Sequence, residues 1–257
     1  MNPFTAPQTA RAYAQGRPYF YPLVIEKVRE ALDVRFPVAL AVDVACGTGL
    51  SSLALLALAD RVVATDVSPE MLAHAPEDAR LDYRLAPAEA LPLAGESAEL
   101  LTVSSAFHWF NRAAFLREAR RVLRPGGWLV IYENFFRGQP QTAAFTSWLG
   151  AYYEAHPSPL RDRTPFTGDD AHQAGFSFAD RLSYENTWSF GLVDFVNYLL
   201  SQSNAVVAVA RRKPVDALRA ELTEQLEPFF FADKASGELP FSFAGFIWIL
   251  RRDSRYA

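Results

Sequence analysis

The chain is poor in sulfur, and it has no long apolar run. Its one cysteine, Cys46, has no partner within the chain for a disulfide, and there is no paired Cys/His spacing of the kind that holds a structural zinc. A reducing compartment is expected, and no metal site. No window approaches the roughly 20 consecutive apolar residues that cross a bilayer. The segment Met1-Asn2-Pro3-Phe4-Thr5 also lacks a basic region followed by an apolar stretch, so the reading is a cytoplasmic protein, neither exported nor embedded. Excess charge is small as well. A formal net charge of -4 supplies no basic surface for nucleic acid, and the clusters Arg211-Arg212-Lys213 and Arg251-Arg252 read as solvated faces. Neither an internal repeat nor a low-complexity tract is visible.

What is present suits a compact enzyme. At 257 residues, half of them hydrophobic, the chain can bury a full core, and its length fits one large domain with an elaboration. The most informative stretch is Ala39-Leu40-Ala41-Val42-Asp43-Val44-Ala45-Cys46-Gly47-Thr48-Gly49, an apolar strand that runs into an acid and then a glycine loop. Gly47 and Gly49 allow the backbone to approach a ligand, and Leu50 to Ala59 reads as a helix whose N-terminus faces it. A second β-like run, Arg61 to Asp66, ends on an acid seventeen residues beyond Gly49. Together these make a nucleoside-binding βαβ unit with a carboxylate placed for ribose hydroxyls.

Two cofactor classes compete for such a unit. A dinucleotide fingerprint asks for a third glycine, and this chain has Ser52 there. The pattern it does satisfy is D-x-[GA]-x-G-x-G, through Asp43, Ala45, Gly47 and Gly49. Four further segments follow in order: Ala64-Thr65-Asp66-Val67-Ser68-Pro69-Glu70-Met71-Leu72, Ala86-Pro87-Ala88-Glu89-Ala90-Leu91-Pro92-Leu93, Ser105-Ala106-Phe107-His108-Trp109-Phe110 and Arg120 to Ile131 with its Pro125-Gly126-Gly127 turn. With these the chain resembles the class I S-adenosylmethionine-dependent methyltransferases, of the small-molecule type that includes the trans-aconitate and quinone-biosynthesis enzymes. The resemblance covers roughly Ala39 to Asn134.

The resemblance implies S-adenosylmethionine as cofactor, S-adenosylhomocysteine as product and a small organic acceptor methylated at oxygen or carbon. No nucleic-acid partner is expected from the charge balance, and the oligomeric state is left open. The cofactor-contacting set that the resemblance suggests is Tyr13, Arg17, Asp43, Ala45, Gly47, Thr48, Gly49, Asp66, Val67, Met71, Ala88, Glu89, Ser104, Ala106 and Trp109. Within that set Asp66 takes the ribose hydroxyls by charge-assisted bonds, and its other reading, a helix cap, is already filled by Ser68. Asp43 either steers the cationic amino group of the methionine moiety or caps the loop. Met71 packs on adenine or ribose, or is simply core. Ala88-Glu89 matches the adenine segment, but Pro87 stands where an acid is common, so Glu89 or a backbone carbonyl must read the adenine amine. Tyr13 to Pro22 resembles a lid, which implies that Tyr13 and Arg17 approach the methionine carboxylate or the acceptor; Arg17 either captures a carboxylate in bidentate fashion or stands exposed beside a helix-starting turn.

Ser104 to Trp109 falls at the carboxyl end of the fourth strand, where an open α/β sheet opens its crevice. His108 is the catalytic candidate, able to take a proton from a phenol, enol or amine. Equally, Phe107 to Phe110 would serve as an aromatic wall. Since the sulfonium methyl is already activated, catalysis asks chiefly for alignment and exclusion of water.

The expected architecture is α/β: a Rossmann-like, seven-stranded, mostly parallel sheet with an antiparallel last strand and helices on both faces. An N-terminal lid (1–37) precedes a methyltransferase domain (38–257), with a cofactor-binding core at 39–134 and a helical acceptor-side insert at about 138–175. Strands are expected near 39–44, 61–66, 82–86, 98–105, 127–134, 178–184 and 239–251, and helices near 23–32, 50–59, 69–75, 111–123, 192–200 and 214–227. Two other readings remain: a non-catalytic S-adenosylmethionine-binding regulator, and an NAD-dependent oxidoreductase built on the same βαβ unit.

Overall fold

The computed structural model describes residues 7–138, 143–160, 162, 164–210, 214–231 and 237–254. The cluster Arg211-Arg212-Lys213 lies outside them. Seven strands form one sheet: β1 (Val38–Val44), β2 (Ala59–Asp66), β3 (Leu81–Leu85), β4 (Ala98–Ser104), β5 (Leu123–Gly138), β6 (Phe176–Gly191) and β7 (Glu238–Arg252), in the order β3-β2-β1-β4-β5-β7-β6. β1, β2, β3, β4 and β5 pair in parallel. β7 runs the other way between β5 and β6. Its Arg252 guanidinium donates to the Leu123 carbonyl at the start of β5, while its Gly245 lies against Glu133 and Tyr184, farther along their strands. The expected sheet, with its antiparallel final strand, is the sheet observed.

Cα-contact geometry divides the chain into two compact units. One comprises Tyr19–Asn134, Arg161–Tyr184 and Gly245–Ala257, the other Met1–Pro18, Phe135–Leu160 and Glu185–Ala244. The chain passes from one to the other within β5, β6 and β7.

In the larger unit the side-chain alternation of the strands divides the core in two. Leu100 and Val130 join Val24, Val28, Leu55 and Leu58 in one cluster; their neighbours Leu101, Leu129 and Ile131 join Phe115, Leu116 and Phe176 in the other. A period of two puts adjacent residues on opposite faces, so helices must cover both. They are α2 (Tyr21–Ala31), α3 (Leu50–Leu55), α4 (Pro69–Leu72), α5 (Arg112–Val122) and α7 (Gly168–Gln173). Pro22 stands in the first turn of α2, as its φ and missing amide favour. Arg252, expected on a solvated face, is instead half-buried, because it bonds both the Leu123 carbonyl and Glu96.

The smaller unit has its own core, dominated by aromatic rings. α1 (Pro7–Gly16), α6 (Ala143–Ala155), α8 (Leu192–Leu200), α9 (Ser203–Ala210) and α10 (Val215–Phe230) surround the far ends of the long strands. Phe145, Phe190, Phe195, Phe230, Phe241 and Phe243 are buried together, with Phe195 and Phe241 stacked at 4.2 Å. The aromatic excess of this part of the sequence is therefore packing. α1 meets α8 at Gly16, where a Cβ would fall 2.4 Å from the Asn197 carbonyl carbon. Among the described residues no single helix is long and apolar enough to cross a membrane.

Candidate active site

β1 ends in a loop built on left-handed residues: Ala45 at φ 56°, Gly47 at φ 56° and Gly49 at φ 74°. An alanine held there costs about 1–2 kcal/mol, and strain of this order persists only where surrounding bonds enforce it. The Cys46 amide donates to the Thr65 carbonyl at 3.0 Å and the Gly49 amide to the Cys46 carbonyl at 2.9 Å. Gly49 is required twice over, since a Cβ would also lie 2.5 Å from the Tyr83 hydroxyl oxygen.

Asp43 braces this loop from beneath. It is fully buried and accepts from the hydroxyls of Ser51 and Ser52, each at 2.6 Å, and of Thr102 at 3.0 Å. Burial pushes its carboxyl pKa up, against the pull of those three hydroxyls. Ser52 thus occupies the position of a dinucleotide-type third glycine because its hydroxyl ties α3 to Asp43.

Asp66 closes β2. One carboxylate oxygen accepts the Gly47 amide at 2.8 Å, the other the Ser68 amide at 2.9 Å, which leaves lone pairs on both. Desolvation pushes its pKa up despite these bonds. Ser68 caps α4 as expected, accepting from the Met71 amide. Beside Asp66, Val67 and Leu85 expose apolar side chains at the carboxyl edge of β2 and β3, while Met71 is buried below. Ala88 is buried, and one Glu89 oxygen accepts the Asn111 amide at the start of α5.

Beyond β4 the chain turns through Ser105, held at φ 52° with its amide bonded to the Tyr132 carbonyl at 2.8 Å. Ala106 then leads into a short 3₁₀ turn, Phe107–Trp109. The expected aromatic wall divides here. Phe107 is interior, packed on Phe110, Phe115, Phe166 and Trp248. His108 points elsewhere, with Nδ1 3.0 Å from Glu133 Oε1 and its ring tilted against Trp109. Ser104 bonds the Tyr132 hydroxyl.

Glu133 is a residue the sequence reading passed over. The available signal was an acid closing the apolar run Trp128 to Tyr132, at the same sheet edge as Asp43, Asp66 and Ser104.

Tyr13 and Arg17 belong to the smaller unit. Arg17 donates to the Ser201 carbonyl at 2.9 Å, and its guanidinium lies 4.5 Å from the Tyr13 ring centroid and 5.6 Å from that of Tyr198. Its Nε is buried without a hydrogen-bond partner among the described residues. Among the described residues no group of three or more His, Cys, Asp or Glu side chains is placed to hold a metal ion.

Comparison with known proteins agrees with this geometry. A family model described as a methyltransferase domain matches residues 42–131. An uncharacterised methyltransferase of Mycobacterium tuberculosis is 34% identical over 172 residues, which is 63% of this chain and 65% of that protein; the chain thus spans just under two thirds of that relative's length. The ubiquinone/menaquinone biosynthesis C-methyltransferase of Rubrivivax gelatinosus is 44% identical over 96 residues, 36% of this chain and 38% of its own. A solved structure from Anaeromyxobacter dehalogenans, provisionally named a type II methyltransferase, superposes with a TM-score of 0.66 at 25% identity, covering 91% of this chain and 96% of that one. By sheet order, loop and these matches, the chain carries a methyltransferase domain at residues 42–131 and is similar to the class I S-adenosylmethionine-dependent methyltransferases.

Proposed function

We propose that this protein transfers a methyl group from S-adenosylmethionine to a small organic acceptor, at oxygen or carbon, releasing S-adenosylhomocysteine. The observation that carries the reading is the left-handed loop Ala45 to Gly49 beside Asp66. The loop fits the methionine moiety: its residues leave room for close backbone approach, and the buried Thr48 hydroxyl has no partner of its own among the described residues. Asp66 retains acceptor capacity for two ribose hydroxyls, and Val67 with Leu85 offers an apolar shelf for a purine. Ala88 and Glu89 would meet the adenine edge, Ser104, Ala106 and Trp109 the sulfur end. Asp43, filled by three hydroxyls, would act on the amino group through its field alone.

When bound, S-adenosylmethionine supplies an already activated methyl group. The chain's task is to hold the acceptor in line with it and exclude water. That the Rubrivivax relative is named for quinone biosynthesis supports a small, unsaturated acceptor. The single cysteine accords with a cytoplasmic setting. Titration calorimetry should show binding of S-adenosylhomocysteine and no appreciable binding of NAD; the reverse would return the oxidoreductase reading. Incubation with labelled S-adenosylmethionine and a metabolite extract should release S-adenosylhomocysteine, whereas binding without release would mark a regulatory binder.

A further inference from the structure

His108, in the turn after β4, and Glu133, in β5 just past the pairing of Ser104 with Tyr132, meet at 3.0 Å through Nδ1 and Oε1. The Glu133 side chain is 10% exposed and that of His108 18%. A carboxylate so nearly buried needs hydrogen bonds or an opposite charge. Among the described residues its only side-chain partner is the imidazole, with no lysine or arginine bonded to it. An ionised carboxylate accepts only, so Nδ1 must carry the proton. In the neutral ring Nε2 then holds a free lone pair. No hydrogen bond from Nε2 to any described residue competes for it.

Both halves of the pair are held rigidly. Tyr184 donates its hydroxyl to the Glu133 backbone carbonyl at 3.0 Å, and β7 presses so closely there that a Cβ on Gly245 would stand 2.2 Å from that oxygen. On the other side, left-handed Ser105 turns the chain toward His108, and the Asp162 amide donates to the His108 carbonyl at 3.3 Å. Arg112 anchors that strap through the carbonyls of Asp162 and Thr164. Backbone strain of the Ser105 kind, beside a partly buried imidazole, is characteristic of functional turns.

We infer that His108 is the general base of the transfer and Glu133 its positioning residue, and that the acceptor is a phenol or enol bearing an ionisable O–H. This deepens the proposed methyl transfer and rests on it. His108 Nε2 removes the hydroxyl proton as the oxygen attacks, and the imidazolium that forms is stabilised by Glu133. The oxygen's electron pair forms the O–C bond while the C–S pair of S-adenosylmethionine returns to sulfur, leaving S-adenosylhomocysteine; the proton then passes from His108 to water. A carboxylate acceptor is already ionised and would not require this pair.

Two measurements test the assignment. In protein labelled with 15N-histidine, the His108 signals, identified by their loss in His108→Gln, should report the Nδ1–H tautomer when neutral. Glu133→Gln should shift them toward Nε2–H, since the amide can donate to Nδ1. With methyl-labelled S-adenosylmethionine, a panel of catechols, hydroxybenzoates and enolised β-diketones should be methylated, and the carboxylates of benzoate and aconitate should not. His108→Gln should lower kcat on the hydroxyl acceptors by about 10²- to 10⁴-fold, with KM and S-adenosylhomocysteine affinity within about threefold. Glu133→Gln should lower kcat in the same way and Glu133→Asp should recover part of it. Methylation confined to carboxylates, an undiminished kcat in His108→Gln, or a tautomer indifferent to Glu133→Gln would overturn the inference. Loss of S-adenosylhomocysteine binding by the unaltered protein would instead sink the methyltransferase reading beneath it.

Discussion

Asp43 sits among three hydroxyls, which gives its ionisation a definite consequence. Burial raises its pKa above the ordinary 3.8. In acid the group is neutral in both folded and unfolded chains. As pH rises the unfolded chain ionises first, so stability falls until the higher folded-state pKa is passed and is flat beyond it. Asp43→Asn should flatten that fall, measured by urea unfolding across about pH 4 to 8. An unchanged slope would place the pH dependence elsewhere. Asp66 carries a different burden, since its oxygens hold the Gly47 and Ser68 amides as well as facing the proposed ribose. Asp66→Ala should weaken S-adenosylhomocysteine binding by about 1.5–3 kcal/mol by calorimetry, and lower the melting temperature of the free protein because two amides lose their acceptor. Normal binding would leave Asp66 a structural acid. At this scale the sequence made Asp66, Ser68 and His108 visible because each stands inside a short run of residues whose pattern marks it. It concealed Glu133, whose partner lies 25 residues away and is brought near only by the pairing of β4 with β5.

Among elements, the loop between β1 and α3 and the contact of α1 with α8 both depend on a missing Cβ. Gly49→Ala should cost about 1–2 kcal/mol from the left-handed backbone alone, with the Tyr83 clash added. S-adenosylhomocysteine affinity should fall at least tenfold, and pairing the change with Tyr83→Phe should restore only part of it. Full restoration would show that the clash, and not φ, sets the requirement. At Gly16 two effects oppose each other. Helix propensity favours alanine by about 1 kcal/mol, but the new methyl would strike the α8 backbone, which cannot swing aside, and overpacking of this kind costs about 1–3 kcal/mol. The collision should win, so Gly16→Ala should reduce the urea midpoint; an increase would mean that the two helices can part. Strand positions were legible from apolar runs between turns. The limits of α3 were not: its apolar pattern continues to Ala59, but α3 ends at Leu55 and Ala59 is taken into β2 opposite Val38.

At the scale of the molecule, ligand binding should be read out as stability. S-adenosylhomocysteine at about 100 times its Kd should add about 2.7 kcal/mol to the unfolding free energy and raise the melting temperature, while NAD at the same concentration should not. A rise with NAD alone would count against the cofactor assignment. The parallel part of the sheet could be read from the sequence because strand, turn and helix alternate in order. The aromatic unit was harder to read, since rings rich in one region suit a core, a lid or an acceptor pocket equally until their contacts are known. One feature of the sheet also bears on how the chain is made. β7 lies between β5 and β6, and the Leu123–Arg252 contact that fastens it joins residues 129 apart in sequence. A nascent chain emerging from the ribosome therefore carries β5 with one edge open while more than a hundred further residues are translated. Throughout that interval it presents unpaired amides and carbonyls to other chains, so yield should depend on growth temperature and chaperone supply more than the finished protein's stability would suggest.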